Sequence, residues 1–314
     1  MSSRSLRVAV LMGGIGGERE VSLESGKYVA EALRQAGCSV ITSDITPDDM
    51  SILDKADIDV FFIALHGKFG EDGSLQQVLE QRRLCYTGSG PKASRLAMDK
   101  MASKKLFAAA GTAVPKAVEY KPGVSIQDAA DCMASYRGKL VVKPVTGGST
   151  VGVTIEESPA EAIAAAARCY SEFGDAMIEQ FVAGREVTVG VVHGKALPII
   201  EIRPKSGFYD YNAKYIAEDT QYLFDTIEDK ALAENIQGNA IRCFDSLGCL
   251  DFGRMDLILS SDGTAYALEI NTIPGFTSHS LLPKAAAKSG ISMPELCIGI
   301  IRSAMDRHFG LHKR

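Results

Sequence analysis

Between Arg254 and Gly275 the chain reads RMDLILSSDGTAYALEINTIPG, two alternating strands around an Asp262-Gly263 turn signal. A two-residue turn there pairs 261 with 264, and so sets Asp256 opposite Glu269 and Arg254 opposite Asn271. Side chains alternate along a strand, which puts these four on one face. Met255, Leu257, Leu259, Tyr266, Leu268 and Ile270 make the other, apolar face. Two carboxylates and an amide oxygen form a hard oxygen site suited to Mg²⁺. Held that close without a cation, the carboxylates would repel each other. A merely solvated face would carry Lys, Thr and Ser as well, which makes that reading the weaker one.

A second set of residues suits phosphate. Lys143 ends an apolar strand just before the loop Thr146-Gly147-Gly148-Ser149-Thr150-Val151-Gly152. Glycines let backbone N–H groups approach phosphate oxygens, and a lysine neutralises their charge. No GK[ST] follows, so this is not a Walker A loop. Most such loops are plain hairpin turns; this one gains weight from Lys100 and the downstream hairpin. Met177–Val182 runs into Gly184-Arg185-Glu186. A hinge there offers backbone groups to an adenine edge, and a carboxylate just beyond can accept both ribose hydroxyls. The turn Gly13–Gly17 fails the GxGxxG spacing, because Arg19 stands at the last position.

These residues need elements to hold them. Near-continuous apolar strands (LRVAVLM, SVITSDI, VFFIALH) alternate with helices over about Ser22–Gln35 and Gly73–Gln81. That alternation predicts a parallel sheet covered on both faces. A helix over Ser94–Gly111 leads to a second region of strands LVVKP, VTI and AMIEQFV, with a helix over Ser158–Phe173. The third region holds the strands REVTVGVVHG and KALPIIEIRP, a helix over Leu232–Leu247, the opening hairpin and a helix over Met293–His308. With 314 residues, 46% hydrophobic and 23% charged, the chain reads as a globular protein of two or three domains. A net charge of −5 argues against a general nucleic-acid or anionic-membrane binder. The chain enters a strand at Leu6 without a signal peptide, no apolar run spans a bilayer, and seven cysteines lack CxxC spacing; together these predict a cytoplasmic protein.

In this order, Lys143, the Gly-rich loop, Glu179–Val182, Arg254-x-Asp256 and Glu269-x-Asn271 resemble the ATP-grasp fold, and within it the D-alanine–D-alanine ligase family. Supporting segments are Gly13–Gly26, ALHGKFGEDGSLQ at Ala64–Gln76, YTGSG at Tyr86–Gly90, MDK at Met98–Lys100, FYDYNAKY at Phe208–Tyr215 and NTIPGFTSHSLLP at Asn271–Pro283. Each is moderately specific alone; together they are very specific and cover essentially the whole chain. The resemblance implies an α/β (α+β overall) fold of three domains. These are an N-terminal parallel-sheet domain over 1–97 with the first D-alanine site, a central lobe over 98–184, and a C-terminal lobe over 185–314 with the metal and second D-alanine sites. The nucleotide would lie between the last two.

The resemblance also implies roles. Glu18 would anchor the ammonium of the first D-alanine, with Ser22 supporting that end and His66 near its carboxylate. Lys100 and Lys143 would bind the α- and β-phosphates and Lys214 the γ-phosphate, while Glu179, Gln180, Val182 and Glu186 would hold adenine and ribose. Ser149 and Tyr215 would close the site toward Glu18, in a lid made from 147–152 and 206–222. Asp256, Glu269 and Asn271 would hold two Mg²⁺ ions, with Mn²⁺ as an alternative. Arg254 and the Gly275 N–H would stabilise a tetrahedral oxyanion, and Ser280 and Leu281 would bind the second carboxylate. Ser22 could equally cap the first helix, with Ser25 behind it. A homodimer is implied as well. The chain departs from the commonest pattern at Ile15-Gly16-Gly17, in the Val145–Gly152 loop and at Gln180, where a lysine often touches adenine. The implied reaction joins two D-alanines at the expense of ATP. Rivals are D-lactate or D-serine as second substrate, and nucleotide binding without catalysis; Tyr215 favours the dipeptide, and the intact hairpin face favours catalysis.

Overall fold

Residues 5–122, 138–148, 151–204 and 220–310 are described by a computed structural model of the chain. Strand β1 (Arg7–Met12) leads into helix α1 (Arg19–Gln35), followed by β2 (Ser39–Asp44) and β3 (Val60–Ile63). These strands form a parallel sheet in the order β2-β1-β3. Val8, Ala9, Val10 and Leu11 are fully buried in succession, as a strand covered on both faces requires. Tyr86 extends the sheet by a parallel bridge to Phe61.

Helix α2 (Ser74–Gln81) is followed by α3 (Pro91–Met98) and α4 (Lys100–Ala109), where the sequence predicted one helix over Ser94–Gly111. The break is at Asp99, whose backbone is extended (φ −86, ψ 101) and whose carboxylate accepts the Ala102 N–H at 2.9 Å. An aspartate satisfies the orphan donors of a new helix better than it continues an old one. Lys100 thereby becomes the first residue of α4, and its backbone N–H reaches Val145 O at 3.0 Å.

A four-stranded antiparallel sheet comes next, built from β4 (Ala117–Glu119), β5 (Leu140–Lys143), β6 (Thr154–Glu156) and β7 (Met177–Gln180), in the order β4-β7-β5-β6. Helix α5 (Pro159–Phe173) crosses between β6 and β7. Ser158 caps it by accepting the Glu161 N–H, Pro159 starts it and Gly174 ends it.

The third sheet is antiparallel, with β8 (Gly184–Val192), β9 (Lys195–Ala196), β10 (Ile200–Arg203), β11 (Gln221–Phe224), β12 (Phe252–Ser260) and β13 (Ala265–Asn271). Its order is β11-β10-β8-β12-β13, with β9 on β8. Helix α6 (Lys230–Leu247) covers one face, packing Ile236, Cys243 and Phe244 against Val187, Val189, Met255 and Leu257. The chain ends in α7 (Leu281–Lys288) and α8 (Met293–His308), the latter opened by a Ser292/Glu295 capping box.

The parallel sheet is fastened to the third sheet at two points. Phe62 of β3, Phe252 of β12 and Phe276 pack ring on ring, with centroids 5.4–6.3 Å apart. Such pairs add roughly 0.5–1.5 kcal/mol each beyond their buried area. Beside them, Asp251 accepts hydrogen bonds from the Gly88 N–H at 2.8 Å, Ser303 Oγ at 2.9 Å and Arg307 Nη1 at 2.5 Å. This fastening holds the mouth of the parallel sheet against the open face of the hairpin.

Candidate functional site

The β12–β13 hairpin carries the expected pairs, Arg254 with Asn271 and Asp256 with Glu269, but reaches them by a different route. The turn is not the predicted two-residue one. Ser260 and Thr264 close a three-residue loop through Ser260 N–H to Thr264 O at 2.9 Å, with Gly263 left-handed at φ +86. This shifts the register by one, so Leu257 pairs with Ala267. A bulge at Leu268 restores it before Glu269. Ala265 and Ala267 therefore face the core, and Leu268, predicted for the apolar face, turns into a cavity beside Glu269.

On the open face the charges meet one another. Arg254 donates to both oxygens of Asp256, Nε at 2.9 Å and Nη2 at 2.8 Å. Thr188, brought alongside by the β8–β12 register, donates to Asp256 Oδ1 at 2.6 Å. Lys100 Nζ lies 3.5 Å from Glu269 Oε2 and donates to Gly147 O at 2.6 Å. Burial, reinforced by the like charge of Lys143, holds the Lys100 pKa below its ordinary value against the pull of Glu269. Asn271 Oδ1 accepts the Ile273 N–H at 2.9 Å. Among the described residues no three His, Cys, Asp or Glu side chains gather as a metal-binding group. Asp256, Glu269 and the amide oxygen of Asn271 are still a hard-oxygen donor set, whose carboxylates here meet Arg254 and Lys100.

Two cavities open on either side of Lys100 and Glu269, which line both together with Gly147 and Gly148. The larger, about 780 Å³, takes in Glu18, His66, Arg254, Asn271, Gly275, Ser280 and Leu281. Glu18 precedes α1 without a side-chain cap bond to it. Its carboxylate packs on Gly67 and faces Gly148, the last described residue before Ser149. Glu71, which sequence reasoning missed within the GEDGS segment, accepts the Gly67 N–H. Burial, then the nearby charge of Glu18, raises its pKa to about 8. Gly275 is glycine for want of space: a Cβ there would stand 2.6 Å from Ser280 Oγ. Ser280 accepts the Thr277 N–H at 3.0 Å and precedes the first turn of α7.

Ser22 does not line this cavity. It lies inside α1, fully buried, accepting the Gly13 N–H at 2.9 Å and donating to Ala64 O at 2.8 Å. Nor does it cap the helix, since Glu18 holds the cap position. Ser25, seen in the sequence only as its neighbour, accepts the Phe276 N–H at 3.2 Å and shares a hydrogen bond with His66 Nε2 at 3.1 Å. Burial lowers the His66 pKa to about 4, although a hydrogen bond with the Ile273 backbone opposes the shift. His66 is therefore neutral at pH 7.

The smaller cavity, about 430 Å³, is a slot between the second and third sheets. Val141, Val153, Ile202, Ile258 and Leu268 supply apolar walls; the expected nucleotide residues Lys143, Glu179, Gln180, Val182 and Glu186 line it as well. Two buried acids are tied down by cations. Glu201 meets Arg185 at 3.1 Å and Arg203 at 2.5 Å. Glu179 meets Lys143 at 3.1 Å and Lys104 at 2.5 Å. Burial pushes the Glu179 pKa up, but the two lysines outweigh it and hold the carboxyl below its ordinary value. Lys104 escaped sequence reasoning, though it stands one turn beyond Lys100 on the same face of α4. Asp175 anchors the Gly-rich loop by accepting the Val145 N–H at 2.8 Å and Thr146 Oγ1 at 2.6 Å. Ser149, Lys214 and Tyr215, and with them much of the expected lid, lie outside the described residues.

The family model for the D-Ala–D-Ala ligase C-terminus matches residues 106–302, and that for the N-terminus matches 49–89. A D-alanine–D-alanine ligase of Syntrophotalea carbinolica is 44% identical over 96% of this chain and 97% of its own. A Bacillus anthracis D-alanine–D-alanine ligase solved in complex with ATP superposes with a TM-score of 0.81 at 31% identity, covering 98% of this chain and 99% of that one. The VanG D-Ala:D-Ser ligase of Enterococcus faecalis gives a TM-score of 0.83 at 28% identity, covering 96% of this chain and 100% of that one. The fold is thus that of the ATP-grasp ligases. The chain belongs to the D-alanine–D-alanine ligase family.

Proposed function

We propose that this chain joins two D-alanine molecules into D-alanyl-D-alanine at the expense of ATP, for peptidoglycan precursors. The observation that carries the reading is the meeting of two cavities at Lys100 and Glu269. ATP occupies the apolar-walled slot, its phosphates running along Lys143 and Lys100 to the junction. The two amino acids occupy the larger cavity. Glu18 takes the ammonium of the first, with Glu71 beside it, and Ser280 with the N-terminus of α7 takes the carboxylate of the second. A carboxylate is a poor electrophile, so its oxygen first attacks the γ-phosphorus and ADP leaves, giving an acyl phosphate. The free amine of the second D-alanine then attacks the acyl carbon, and phosphate leaves with the C–O electron pair. Arg254 and the Gly275 N–H stand in the same cavity to receive the oxyanion.

Asp256, Glu269 and Asn271 would hold Mg²⁺, in the number of two ions, with Mn²⁺ as an alternative. When bound, the metal supplies positive charge against the phosphates. Lys100 and Arg254, which now balance these carboxylates, then serve phosphate and oxyanion. Ser149, Lys214 and Tyr215 complete the site in this reading, as a lid that keeps water from the acyl phosphate. Three domains over 1–97, 98–184 and 185–314, a homodimer and a cytoplasmic location belong to the same reading. Among the described residues no helix is long and apolar enough to cross a membrane. The D-serine relative has the same fold, so architecture does not select the second substrate; the D-alanine–D-alanine relatives, nearer in sequence, support the dipeptide.

The test is ADP release by the full chain with ATP and Mg²⁺ over D-alanine, D-serine, D-lactate and L-alanine, with the product identified by mass and chirality. D-alanyl-D-alanine as the main product is expected. Preference for D-lactate, D-serine or L-alanine overturns the substrate, and no ADP with any of them overturns the reaction class.

A further inference from the structure

Lys104 has no place in the reading above, yet it is a lysine only 4% exposed. Its ammonium lies 2.5 Å from one oxygen of Glu179, and that of Lys143 lies 3.1 Å from the other. The three side chains are 5%, 3% and 10% exposed for Lys104, Glu179 and Lys143. Two cations thus share one carboxylate largely out of water, an arrangement that favours a second anion. The two lysines differ in reach. Lys143 and Glu179 line the slot, whereas Lys104 approaches Glu179 from α4, behind the wall. An anion entering the slot can therefore recruit Lys143 and not Lys104.

We propose that Lys104 is the standing counter-ion of Glu179, a positioning residue that lets Lys143 leave Glu179 for a phosphate of the bound nucleotide. The inference rests on the nucleotide reading of the slot. Without Lys104, Lys143 is the cation left on Glu179. Turning it toward a phosphate would strand a buried carboxylate, the costly outcome when one partner of a buried pair is removed. Nucleotide binding and the neutralisation of Glu179 would then compete for one ammonium. Lys104 removes that competition while touching no substrate. Burial draws its pKa down to about 8 against the pull of Glu179, so it is still mostly charged near neutral pH.

The experiment is calorimetric binding of ADP with Mg²⁺ to the full chain. The set is wild type, Lys143→Met, Lys104→Met, Lys104→Arg, Glu179→Gln and the Lys104→Met/Glu179→Gln pair, each checked by thermal melt. Lys143→Met is expected to weaken ADP; wild-type affinity there would overturn the nucleotide reading of the slot and this inference with it. With that reading secured, Lys104→Met should lower ADP affinity by about tenfold or more, which is ~1.4 kcal/mol. Lys104→Arg should restore most of it. In the Glu179→Gln background no carboxylate remains to strand, so adding Lys104→Met should cost far less. ADP affinity in Lys104→Met equal to wild type, or the same loss in both backgrounds, would overturn the assignment. Should the methionine not fold, Lys104→Gln enters the same cycle with the same expected outcomes.

Discussion

The cleft at Glu18 and Arg254 and the slot at Lys143 and Glu179 share a wall at Lys100 and Glu269 but are built on opposite plans. The cleft gathers single groups from many places: Glu18 before α1, His66 after β3, Arg254 on β12, and Gly275 and Ser280 on the segment before α7. Several of these are held by backbone, as Ser280 is by the Thr277 N–H and His66 by the Ile273 backbone. The slot is made from two sheets facing each other, and the charges of Lys104, Glu179 and Lys143 are locked to each other deep in its wall. The cleft can therefore be tuned one group at a time and depends on how the three sheets are docked. The slot is a property of the sheets themselves and tolerates change chiefly at its apolar walls.

Substitutions should separate the two. Arg254→Ala is expected to have the largest effect, cutting turnover by roughly 10²–10³ as loss of an oxyanion donor does. ADP affinity should hold within a few-fold, because Arg254 lines the cleft and not the slot. A loss confined to nucleotide binding would blur the comparison, with the bidentate Arg254–Asp256 pair as the channel. Gly275→Ala comes next. A Cβ placed 2.6 Å from Ser280 Oγ must displace the end of the cleft that takes the second amino acid. The overpacking cost, on the order of 1–3 kcal/mol, should raise the D-alanine KM about tenfold while leaving that of ATP unchanged.

Leu268→Ala is the mirror experiment. It should raise the ATP KM several-fold, about 1 kcal/mol of lost apolar contact, and leave the D-alanine KM alone. An effect on D-alanine instead would mean that the bulged leucine does not wall the slot. That bulge also marks the limit of what could be read beforehand. The pairing of Asp256 with Glu269 was legible because the alternation is clean. The route was not, because a longer turn and a bulge each shift the register by one and cancel. An alternating pattern looks the same with Leu268 on either face. The α3–α4 break was hidden by good helix formers on both sides of Asp99, though an aspartate there is itself a start signal. Lys104 and Glu71 were hidden for a different reason. Charged residues on a helix and in a polar loop read as solvent-facing until tertiary packing closes over them.

The remaining effects are on stability rather than on either substrate, and their signs oppose each other. His66 is held near 4 against an ordinary 6.5, so the unfolded chain takes its proton more readily. That contribution is complete above about pH 6.5 and is lost as pH falls toward 4. Glu71 is raised to about 8 from 4.5, so the folded chain holds its proton more tightly, and stability is lost as pH rises through that window. Thermal melts of Glu71→Gln should therefore show a gain over wild type that grows from pH 5 to pH 8, a span of roughly the titration window. A gain that is flat with pH would remove Glu71 as the titrating group.

The division of labour between cleft and slot is tested most directly by a crystal structure of the full chain with ADP, Mg²⁺ and D-alanine. The account predicts adenine between Leu268 and Val141 in the slot, the β-phosphate ending at Lys100 and Glu269, and the D-alanine ammonium at Glu18. Nucleotide in the larger cavity, or D-alanine in the slot, would contradict it.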